Sequence, residues 1–513
     1  MNDLAANLLT TVRLIVPELI LLVVAALGAL WGAFARVATL EDRAATRQKS
    51  VLFGAAALLA ALAALLVWPA VGELDPARAA FIGDRLAAIL RPAGLLAGLV
   101  LLIFQREQLH PRFAAEQVAC LLVIVAGVNL AGAANDLIAL FVALELVSIP
   151  TYVLLFLSRN DAGGLESTAK YFLLSVFSSA FVLYGLSIFM GSAGATNFAW
   201  LRHSLVEPSG MVTAGLLQVA VAMTIVGIGF RVTAVPFHFY APDVFHGTST
   251  ATAGLLAVLP KVVGFAALLR LLWSIVLAPG VDEAFSSLAD RTSLGLAAVA
   301  LLTMTVGNAL ALVQTDLRRL LAYSSVAHAG YMLVGLAVVP GGSERFSGDR
   351  AVLFYLLLYA VMTLGIFGGI LLLRRNGKPI ETIGDLDGAG RTAPLAALAM
   401  AVLLFSLSGL PPTGGFWGKF NLFLAAWSTG SQPLRWLAVA LAVNAAIAGW
   451  YYLRLVRRMY LHAVPETGAT SADSGPLMAA VVGGCALAML ALFFLPNGLW
   501  RMVALAAAGP AAV

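Results

Sequence analysis

The hydrophobic residues of this 513-residue chain lie in long continuous runs, and the polar residues gather in short connections between them. About fourteen runs are long enough to cross a membrane, because a spanning helix needs about 20 apolar residues. The runs do not alternate between polar and apolar positions, which excludes a membrane β-barrel. The pattern therefore predicts an all-α polytopic membrane protein with about 14 transmembrane helices. The predicted segments are residues 14–34, 51–69, 81–104, 113–132, 137–157, 167–190, 211–245, 251–277, 293–314, 320–339, 351–373, 394–427, 434–460 and 477–495.

Two of these runs, the seventh and the twelfth, are longer than one span and contain helix-breaking residues. The seventh carries Val235-Pro236-Phe237-His238, and the twelfth carries Gly409-Leu410-Pro411-Pro412. Proline removes a backbone hydrogen bond and clashes with the preceding turn, so each run should form two half-helices. Interrupted spans in corresponding positions of two halves predict an inverted repeat with its working site near the middle of the membrane.

The composition excludes a soluble enzyme with a single anchor, because 61% of the residues are hydrophobic and only 11% are charged. The formal net charge is +5, but the cations are spread over short loops rather than clustered as in a nucleic-acid-binding surface. The odd-numbered loops hold about twice as many cations as the even-numbered loops, so the positive-inside rule places the odd loops in the cytoplasm. Both termini of the chain are then expected on the outer side of the membrane. Cys120 and Cys485 fit no metal or redox spacing.

Seven ionisable residues fall inside the predicted spans or beside their breaks, and they are Glu145, Lys170, Arg231, His238, Lys261, His328 and Lys419. A charged side chain at the centre of a membrane helix costs about 2.5–3.5 kcal/mol, so each one needs a partner or a water-filled cavity. The set contains no metal-ligand cluster and no hydrolytic triad. It predicts a chain of proton carriers rather than a site of covalent chemistry.

Three of the seven also have a simpler interpretation. Lys170 could form a surface ion pair with Glu166, one helical turn away. His238 could cap carbonyl groups that Pro236 leaves free. His328 could be a hydrogen-bonded packing residue.

Other charged residues near the span ends are expected to have structural roles. Arg270 is expected to extend to the membrane interface, and Glu18 is expected to be an interface residue rather than a carrier. Asp316 opens the tenth run and is expected to cap its helix. The glycine-rich stretch 414–419 fails the phosphate-loop pattern at two positions, so it predicts no nucleotide site.

Several motifs carry a resemblance to a known family. They are Glu145-Leu146 with Pro150-Thr151-Tyr152, Lys170-Tyr171-Phe172-Leu173-Leu174, Val235-Pro236-Phe237-His238-Phe239-Tyr240-Ala241-Pro242-Asp243, Lys261, Tyr323-Ser324-Ser325-Val326-Ala327-His328-Ala329-Gly330-Tyr331, and Gly409-Leu410-Pro411-Pro412 with Gly415-Phe416-Trp417-Gly418-Lys419-Phe420. These motifs resemble the antiporter-like proton-channel subunits of respiratory complex I, the NADH:quinone oxidoreductase, and in particular its bacterial subunit N. The resemblance covers nearly the whole chain.

The resemblance implies one membrane domain of two inverted five-helix repeats, at residues 113–277 and 293–460, with flanking helices at 1–104 and 477–513. It implies a subunit that moves protons and holds no metal or redox cofactor, while partner subunits bind NAD, FMN, iron–sulfur clusters and quinone. The implied partners are other membrane-arm subunits, including neighbouring antiporter-like ones, in the lipid bilayer and without nucleic acid.

By position, Glu145 resembles the family's fifth-helix glutamate, Lys261 its central eighth-helix lysine and Lys419 its twelfth-helix exit lysine. Lys170 and both histidines match polar positions of the family. Arg231 is a departure, because the family usually has lysine there. Arginine is effectively always protonated, so Arg231 is predicted to pair with Glu145 as a fixed cation and not to carry protons.

Two other functions are compatible with the sequence. A multisubunit cation/proton antiporter has membrane subunits that share these motifs. A scaffold that only docks its neighbours is the third hypothesis, and the cost of so many buried charges argues against it.

Overall fold

A computed structural model describes residues 10–34, 40–67, 79–110, 112–159, 161–206, 214–276, 283–339, 347–465, 468–472 and 475–506. Within these residues the chain is a bundle of long helices joined by short connections. The predicted outer location of the two termini falls outside the described residues.

Eight long helices make up the first half of the chain. They are α1 (Val16–Phe34), α2 (Leu40–Val67), α3 (Arg85–Arg106), α4 (Ala114–Ala133), α5 (Leu137–Ser158), α6 (Ala162–Ala193), α7 (Ala214–Arg231) and α8 (Thr250–Leu271). A short helix, Phe198–Val206, lies between α6 and α7. A 3-10 turn at Phe237–Tyr240 and a short helix at Ala241–Gly247 connect α7 to α8, and a π-helical turn at Leu272–Val276 extends α8.

The second half continues with α9 (Glu283–Leu312), α10 (Leu317–Val338), α11 (Gly348–Leu372), α12 (Pro394–Ser408), α13 (Gly414–Ser428), α14 (Gln432–Leu461), α15 (Gly475–Phe494) and α16 (Pro496–Ala506). Short turns at Ile383–Leu386 and Ala389–Thr392 lie between α11 and α12. Among the described residues, twelve helices are long and apolar enough to cross a membrane, while α7 and α12 are shorter apolar helices. The all-α polytopic class is confirmed, whereas the total number of crossings and the inverted repeat stay predictions.

Both helix breaks lie where the glycine and proline motifs predicted them. Helix α7 ends at Arg231, and the chain then passes through Thr233 with φ +60 before the 3-10 turn. Helix α12 ends at Ser408, and Gly409 follows with φ +84. This left-handed conformation suits glycine and lets the Gly409 N–H donate to the carbonyls of Phe405 and Ser406, at 3.1 and 3.0 Å.

The core of the bundle is built on α8, α10 and α11, which pack against one another. Every residue of α8 is buried, and only Arg319 and Tyr323 of α10 are not. Helix α9 approaches α10 closely at Gly330, where a Cβ would lie 2.4 Å from the backbone nitrogen of Met304. Small residues at such crossings let membrane helices pack backbone to backbone. Lys261 on α8 and His328 on α10 therefore lie inside this core.

Aspartates cap the N-termini of several helices, where their side chains accept backbone hydrogen bonds. Asp136 accepts from Ile138 at 2.8 Å, and Asp316 accepts from Arg319 at 2.8 Å, which confirms the predicted cap of α10. Asp161 caps α6 at Gly164, and this hydrogen bond together with the neighbouring Arg159 lowers the pKa of its carboxyl. These caps fix where the spans begin.

A small antiparallel sheet joins the two longest polar connections, although no strand was expected. Strand β1 (Leu373–Arg375) lies between β2 (Lys378–Pro379) and β3 (Thr470–Ala472). Asn376 and Gly377 both have positive φ, as a two-residue hairpin turn requires. The loop after α11 and the loop before α15 therefore lie on the same side of the bundle.

Candidate functional site

Glu145 on α5 and Arg231 at the end of α7 are in contact, as the sequence predicted. Nη2 of Arg231 lies 2.8 Å from Oε1 of Glu145. The arginine side chain is 3% exposed and the glutamate side chain 23%. Only one guanidinium nitrogen contacts the carboxylate, so the pair lacks the two parallel bonds that arginine and carboxylate can form.

Neighbouring groups hold both members of this pair. Ser179 on α6 donates to Oε1 of Glu145 at 2.6 Å. Nη1 of Arg231 donates to the carbonyl oxygen of Leu144 at 2.9 Å and to the Ser148 hydroxyl. The guanidinium is therefore fastened to α5 by its charge partner, a backbone carbonyl and a hydroxyl.

The pair adjoins the helix that carries Lys261. Gly264, one turn after Lys261, packs against the end of α7, where a Cβ at Gly264 would lie 2.5 Å from Val232 and 3.6 Å from the Cβ of Arg231. The absence of a side chain at Gly264 brings α8 against the residue that binds Glu145.

Lys261 is completely buried at the middle of α8. Its Nζ donates to the carbonyl oxygen of Ser325 on α10 and lies 5.6 Å from the ring centroid of Tyr359 on α11. The Tyr359 hydroxyl contacts the Ser325 hydroxyl at 2.9 Å and donates to the Ala257 carbonyl at 3.1 Å. Among the described residues no carboxylate forms a salt bridge with Lys261, so gain or loss of a proton there breaks no ion pair.

Lys419 on α13 binds the end of α12, across the break. Its Nζ donates to the carbonyl oxygens of Leu407 and Ser408, at 2.8 and 2.9 Å. The ammonium also lies 4.9 Å from the ring centroid of Tyr331 on α10, within the range of a cation–π contact. Gly409 makes room for the lysine stem, because a Cβ there would lie 2.7 Å from Cδ of Lys419.

His328 lies between these two lysines and is fully buried. Its Nδ1 is 2.6 Å from the Tyr355 hydroxyl on α11, and its Nε2 is 2.9 Å from the Tyr452 hydroxyl on α14. Its ring centroid lies 5.3 Å from that of Tyr359 and 5.5 Å from that of Tyr331. Tyr359 contacts Lys261 and Tyr331 contacts Lys419, so each lysine is separated from His328 by one aromatic ring.

Lys170 belongs to a different cluster, at one end of α6. Its Nζ lies 2.6 Å from carboxylate oxygens of both Glu166 and Asp243, and Asp243 also binds Arg319 at 3.1 Å. The lysine side chain is 39% exposed. This geometry matches the simpler interpretation of Lys170 as an ion-paired residue, with Asp243 as a second partner that the sequence did not indicate.

The remaining histidines near the first break have separate surroundings. Nδ1 of His238 is buried without a hydrogen-bond partner in the part of the chain that the structure describes. Nδ1 of His246 lies 3.0 Å from Oδ2 of Asp316 and links the short helix after the break to the start of α10. Among the described residues, no hydrogen bond, ion pair or ring contact joins either histidine to Lys261, His328 or Lys419.

Two expectations about charged residues at span ends are wrong. Arg91 on α3 binds both carboxylate oxygens of Glu18 at 2.9 and 2.7 Å, and both side chains are buried. Arg270 binds both carboxylate oxygens of Asp84 at 2.5 and 2.8 Å instead of extending to the interface. Each arginine has a partner distant in sequence, and no local pattern indicates such a partner.

The sequence analysis did not identify the tyrosines around His328 as functional residues. Tyr355 and Tyr359 are spaced one helical turn apart in an apolar run, and Tyr451 and Tyr452 follow each other in another. A buried tyrosine usually needs a partner for its hydroxyl, and this was the available signal. Among the described residues, no group of three or more histidine, cysteine, aspartate or glutamate side chains is arranged to hold a metal ion.

Fold and site together define a multi-pass membrane protein of the ion-translocating class. Residues 134–447 match the transmembrane family described as NADH:quinone oxidoreductase/Mrp antiporter. The chain is 37% identical over 417 residues to NADH-quinone oxidoreductase subunit N of Rhodospirillum rubrum, with 81% of each chain covered. It is 34% identical over 496 residues to the subunit N of Paramagnetospirillum magneticum, with 94% of each covered. The chain belongs to the NADH-quinone oxidoreductase subunit N family.

Solved structures agree with this assignment. A chain of respiratory complex I from Thermus thermophilus with bound aureothin superposes with a TM-score of 0.76 at 30% identity, covering 95% of this chain and 99% of that one. A chain of the Mrp complex from Dietzia sp. gives a TM-score of 0.79 at 21% identity, covering 98% and 97%. The second likeness shows the fold alone.

Proposed function

We propose that this chain is a non-redox, proton-translocating subunit in the membrane arm of an NADH:quinone oxidoreductase. Other subunits carry electrons from NADH to quinone, and this subunit moves protons in response. The proposal is supported by three buried ionisable residues, Lys261, His328 and Lys419, which lie on three adjoining helices. Buried ionisable groups inside a membrane protein are costly, and they mark ion pathways.

The residues divide into carriers and a fixed charge. Lys261 and Lys419 take up and release protons, because neither is bound to a carboxylate among the described residues. His328 passes protons between them, since imidazole is a donor at one nitrogen and an acceptor at the other. Arg231 keeps its proton and holds Glu145 in place, while Lys170 and His238 are candidates for the entry side.

The partners follow from the family. The chain assembles with other membrane-arm subunits, including neighbouring antiporter-like ones. NAD, FMN, iron–sulfur clusters and quinone bind in those other subunits. In this proposal the membrane domain consists of two inverted repeats, at residues 113–277 and 293–460, and each repeat contains one of the two lysines.

The orientation follows from the distribution of cations. The loops that carry β1, β2 and β3 face the cytoplasm, and both termini face the periplasm of a bacterial inner membrane. The pairing of β1 with β3 supports one part of this proposal, because it requires both loops on one side.

A subunit of a multisubunit cation/proton antiporter is the alternative function. The fold alone is compatible with it, because the Mrp chain has a similar TM-score. The higher identity to subunit N relatives favours the oxidoreductase. Purification of the native complex in mild detergent separates the two, since flavin and iron–sulfur subunits accompany the first and small antiporter subunits the second.

The proposed translocation is tested with Lys261→Ala and Lys419→Ala in the intact complex in inverted membrane vesicles. Both variants should assemble and should strongly lower proton pumping and coupled quinone reduction. Lys378→Ala is the matched control, because Lys378 is exposed on β2. Wild-type pumping in an assembled double variant of Lys261 and Lys419 would overturn the proposal.

A further inference from the structure

Both ring nitrogens of His328 are occupied by phenol hydroxyls, from Tyr355 at 2.6 Å and from Tyr452 at 2.9 Å. The Tyr452 hydroxyl also contacts the hydroxyl of Ser324. Four groups from α10, α11 and α14 thus form one hydrogen-bonded series, in the order Ser324, Tyr452, His328, Tyr355. All four are buried.

A neutral imidazole can donate at only one nitrogen and must accept at the other. If Tyr355 donates to Nδ1, then Nε2–H donates to Tyr452 and the Tyr452 hydroxyl donates to Ser324. If the direction is reversed, Ser324 donates to Tyr452, Tyr452 donates to Nε2, and Nδ1–H donates to Tyr355. The series therefore has two polarities, and the change from one to the other moves one proton along its length.

Each end of the series lies next to a residue that adjoins one of the two lysines. Ser324 is adjacent to Ser325, whose carbonyl oxygen accepts the hydrogen bond from Lys261. At the other end, the ring of Tyr355 packs against Gly418, where a Cβ would lie 2.5 Å from Cδ2 of that ring. Gly418 directly precedes Lys419 on α13.

The other two tyrosines around His328 have their hydroxyls turned to different partners. The Tyr359 hydroxyl binds the Ser325 hydroxyl and the Ala257 carbonyl. The Tyr331 hydroxyl accepts from Asn308 at 2.8 Å and donates to the Asn444 carbonyl at 3.1 Å. Their rings fill the space beside the imidazole, and neither hydroxyl binds it.

We propose that the hydroxyls of Tyr355 and Tyr452 are proton-conducting partners of His328, so that Ser324, Tyr452, His328 and Tyr355 form the route between Lys261 and Lys419. One proton arrives at the Tyr355 oxygen as the Tyr355 proton passes to Nδ1. The Nε2 proton passes to the Tyr452 oxygen, the Tyr452 proton passes to the Ser324 oxygen, and the Ser324 proton leaves toward a deprotonated Lys261. Protonated Lys419 is the donor at the Tyr355 end. Each O–H or N–H bond that breaks is replaced by one that forms, and no redox partner takes part. The proposal rests on the proposed function.

Tyr355→Phe and Tyr452→Phe each remove one hydroxyl and retain the ring. Tyr240→Phe is the matched control, because Tyr240 is buried and its hydroxyl donates to the Phe230 carbonyl at 3.0 Å, outside the series. The measurement is the initial rate of proton pumping per assembled complex in vesicles with NADH as the donor, in H2O and in D2O. Both test variants should pump about a hundredfold more slowly, at the low end of what a lost acid–base group costs. Their solvent isotope effect should increase, since the interrupted transfer becomes the slow step.

A purely structural role for the two hydroxyls would lower assembly without changing the isotope effect. The proposal is overturned if Tyr355→Phe and Tyr452→Phe pump as Tyr240→Phe does. If Tyr452→Phe fails to assemble, Ser324→Ala interrupts the same end of the series, and normal pumping in that variant has the same meaning. Loss of pumping in Lys261→Ala and Lys419→Ala together with normal pumping in the tyrosine variants would leave the proposed function intact and remove only this route.

Discussion

Nζ of Lys419 lies 2.9 Å from the carbonyl oxygen of Ser408, the last residue of α12. The last carbonyl groups of a helix have no partner within it, and they form the negative end of its dipole. An ammonium at this position satisfies those carbonyls across the break between α12 and α13. Lys419 therefore combines a structural contact with its proposed role as a proton carrier.

Substitution should separate these two roles. Lys419→Arg keeps a positive charge near the α12 carbonyls but cannot release a proton at any working pH. It should assemble as the wild type does and pump few protons. Lys419→Ala should lose pumping and also about 1 kcal/mol of stability from the lost helix-end contact. Blue native gels and thermal unfolding of the purified complex measure the stability difference, and equal stability of the two variants would contradict the structural role.

The pair of Glu145 and Arg231 should respond as a unit. Arg231→Lys restores the residue that the family usually has and keeps the charge, so it should retain activity. Arg231→Ala should be severe, because removal of one partner of a buried pair costs about 3–5 kcal/mol. Pumping is compared among Arg231→Ala, Glu145→Gln and the double variant, with Lys378→Ala as control. The double variant should be less damaged than the sum of the single variants, and additive losses would show that the two residues act independently.

The buried pair of Glu18 and Arg91 should stabilise the packing of α1 against α3. Glu18→Ala leaves Arg91 without its counter-ion and should cost about 3–5 kcal/mol. Thermal unfolding of the complex and the yield of assembled enzyme are the measurements, with Arg501→Ala as the exposed control. Replacement of both residues by leucine should recover stability relative to Glu18→Ala. If the single substitution leaves the unfolding temperature unchanged, the pair has no stabilising role.

The small sheet predicts a common side for two distant loops. Lys378→Cys on β2 and Ser471→Cys on β3 place exposed thiols at its two edges. A membrane-impermeant maleimide should label both from the cytoplasmic side and neither from the outside. Tags at the two termini should be reached only from the outside. Labelling of the two cysteines from opposite sides would contradict the fold, whereas labelling of both from outside would reverse the orientation only.

The stability of the turn at Ile383–Leu386, which follows β2, should depend on pH because of the ionisation of Asp385. Burial alone would raise the pKa of this carboxyl, but hydrogen bonds from the Thr382 and Glu381 N–H groups and the charge of Arg375 hold the pKa below its usual value. A lowered pKa means that the stabilising contribution is full above about pH 4 and is lost as the pH falls through the folded-state pKa. Hydrogen exchange of residues 381–386 should show this loss in the wild type. Asp385→Asn should weaken the turn by about 1 kcal/mol at neutral pH and abolish the pH dependence.

The sequence predicted the features that arise from local patterns. Apolar runs predicted the helices, and the motifs around Pro236 and Gly409 predicted both breaks, because glycine and proline act on their own turn of helix. The contact between Glu145 and Arg231 was predicted from the family positions that these two residues resemble, together with the need of each buried charge for a partner. The Asn376-Gly377 hairpin carried an equally local signal, but its strands are too short to appear in a hydrophobic pattern.

Apart from the pair of Glu145 and Arg231, the sequence did not predict contacts between helices that are distant in the chain. The burial of Glu18 depends on Arg91, and the burial of Arg270 depends on Asp84. Residues at span ends can point inward or outward, and only tertiary packing decides between these directions. The same limit applies to the partners of His328, which come from helices whose order around the core is not encoded in any one segment.

The sheet has a mechanical consequence for α11, the helix that carries Tyr355 and Tyr359. Strand β1 follows α11 without an intervening loop, and it pairs with β3 at Leu373 and Ala472. An axial displacement of α11 must therefore carry β3 with it or break the ladder between the two strands. The sheet thus couples any movement of the helix that carries Tyr355 to the chain segment that leads into α15.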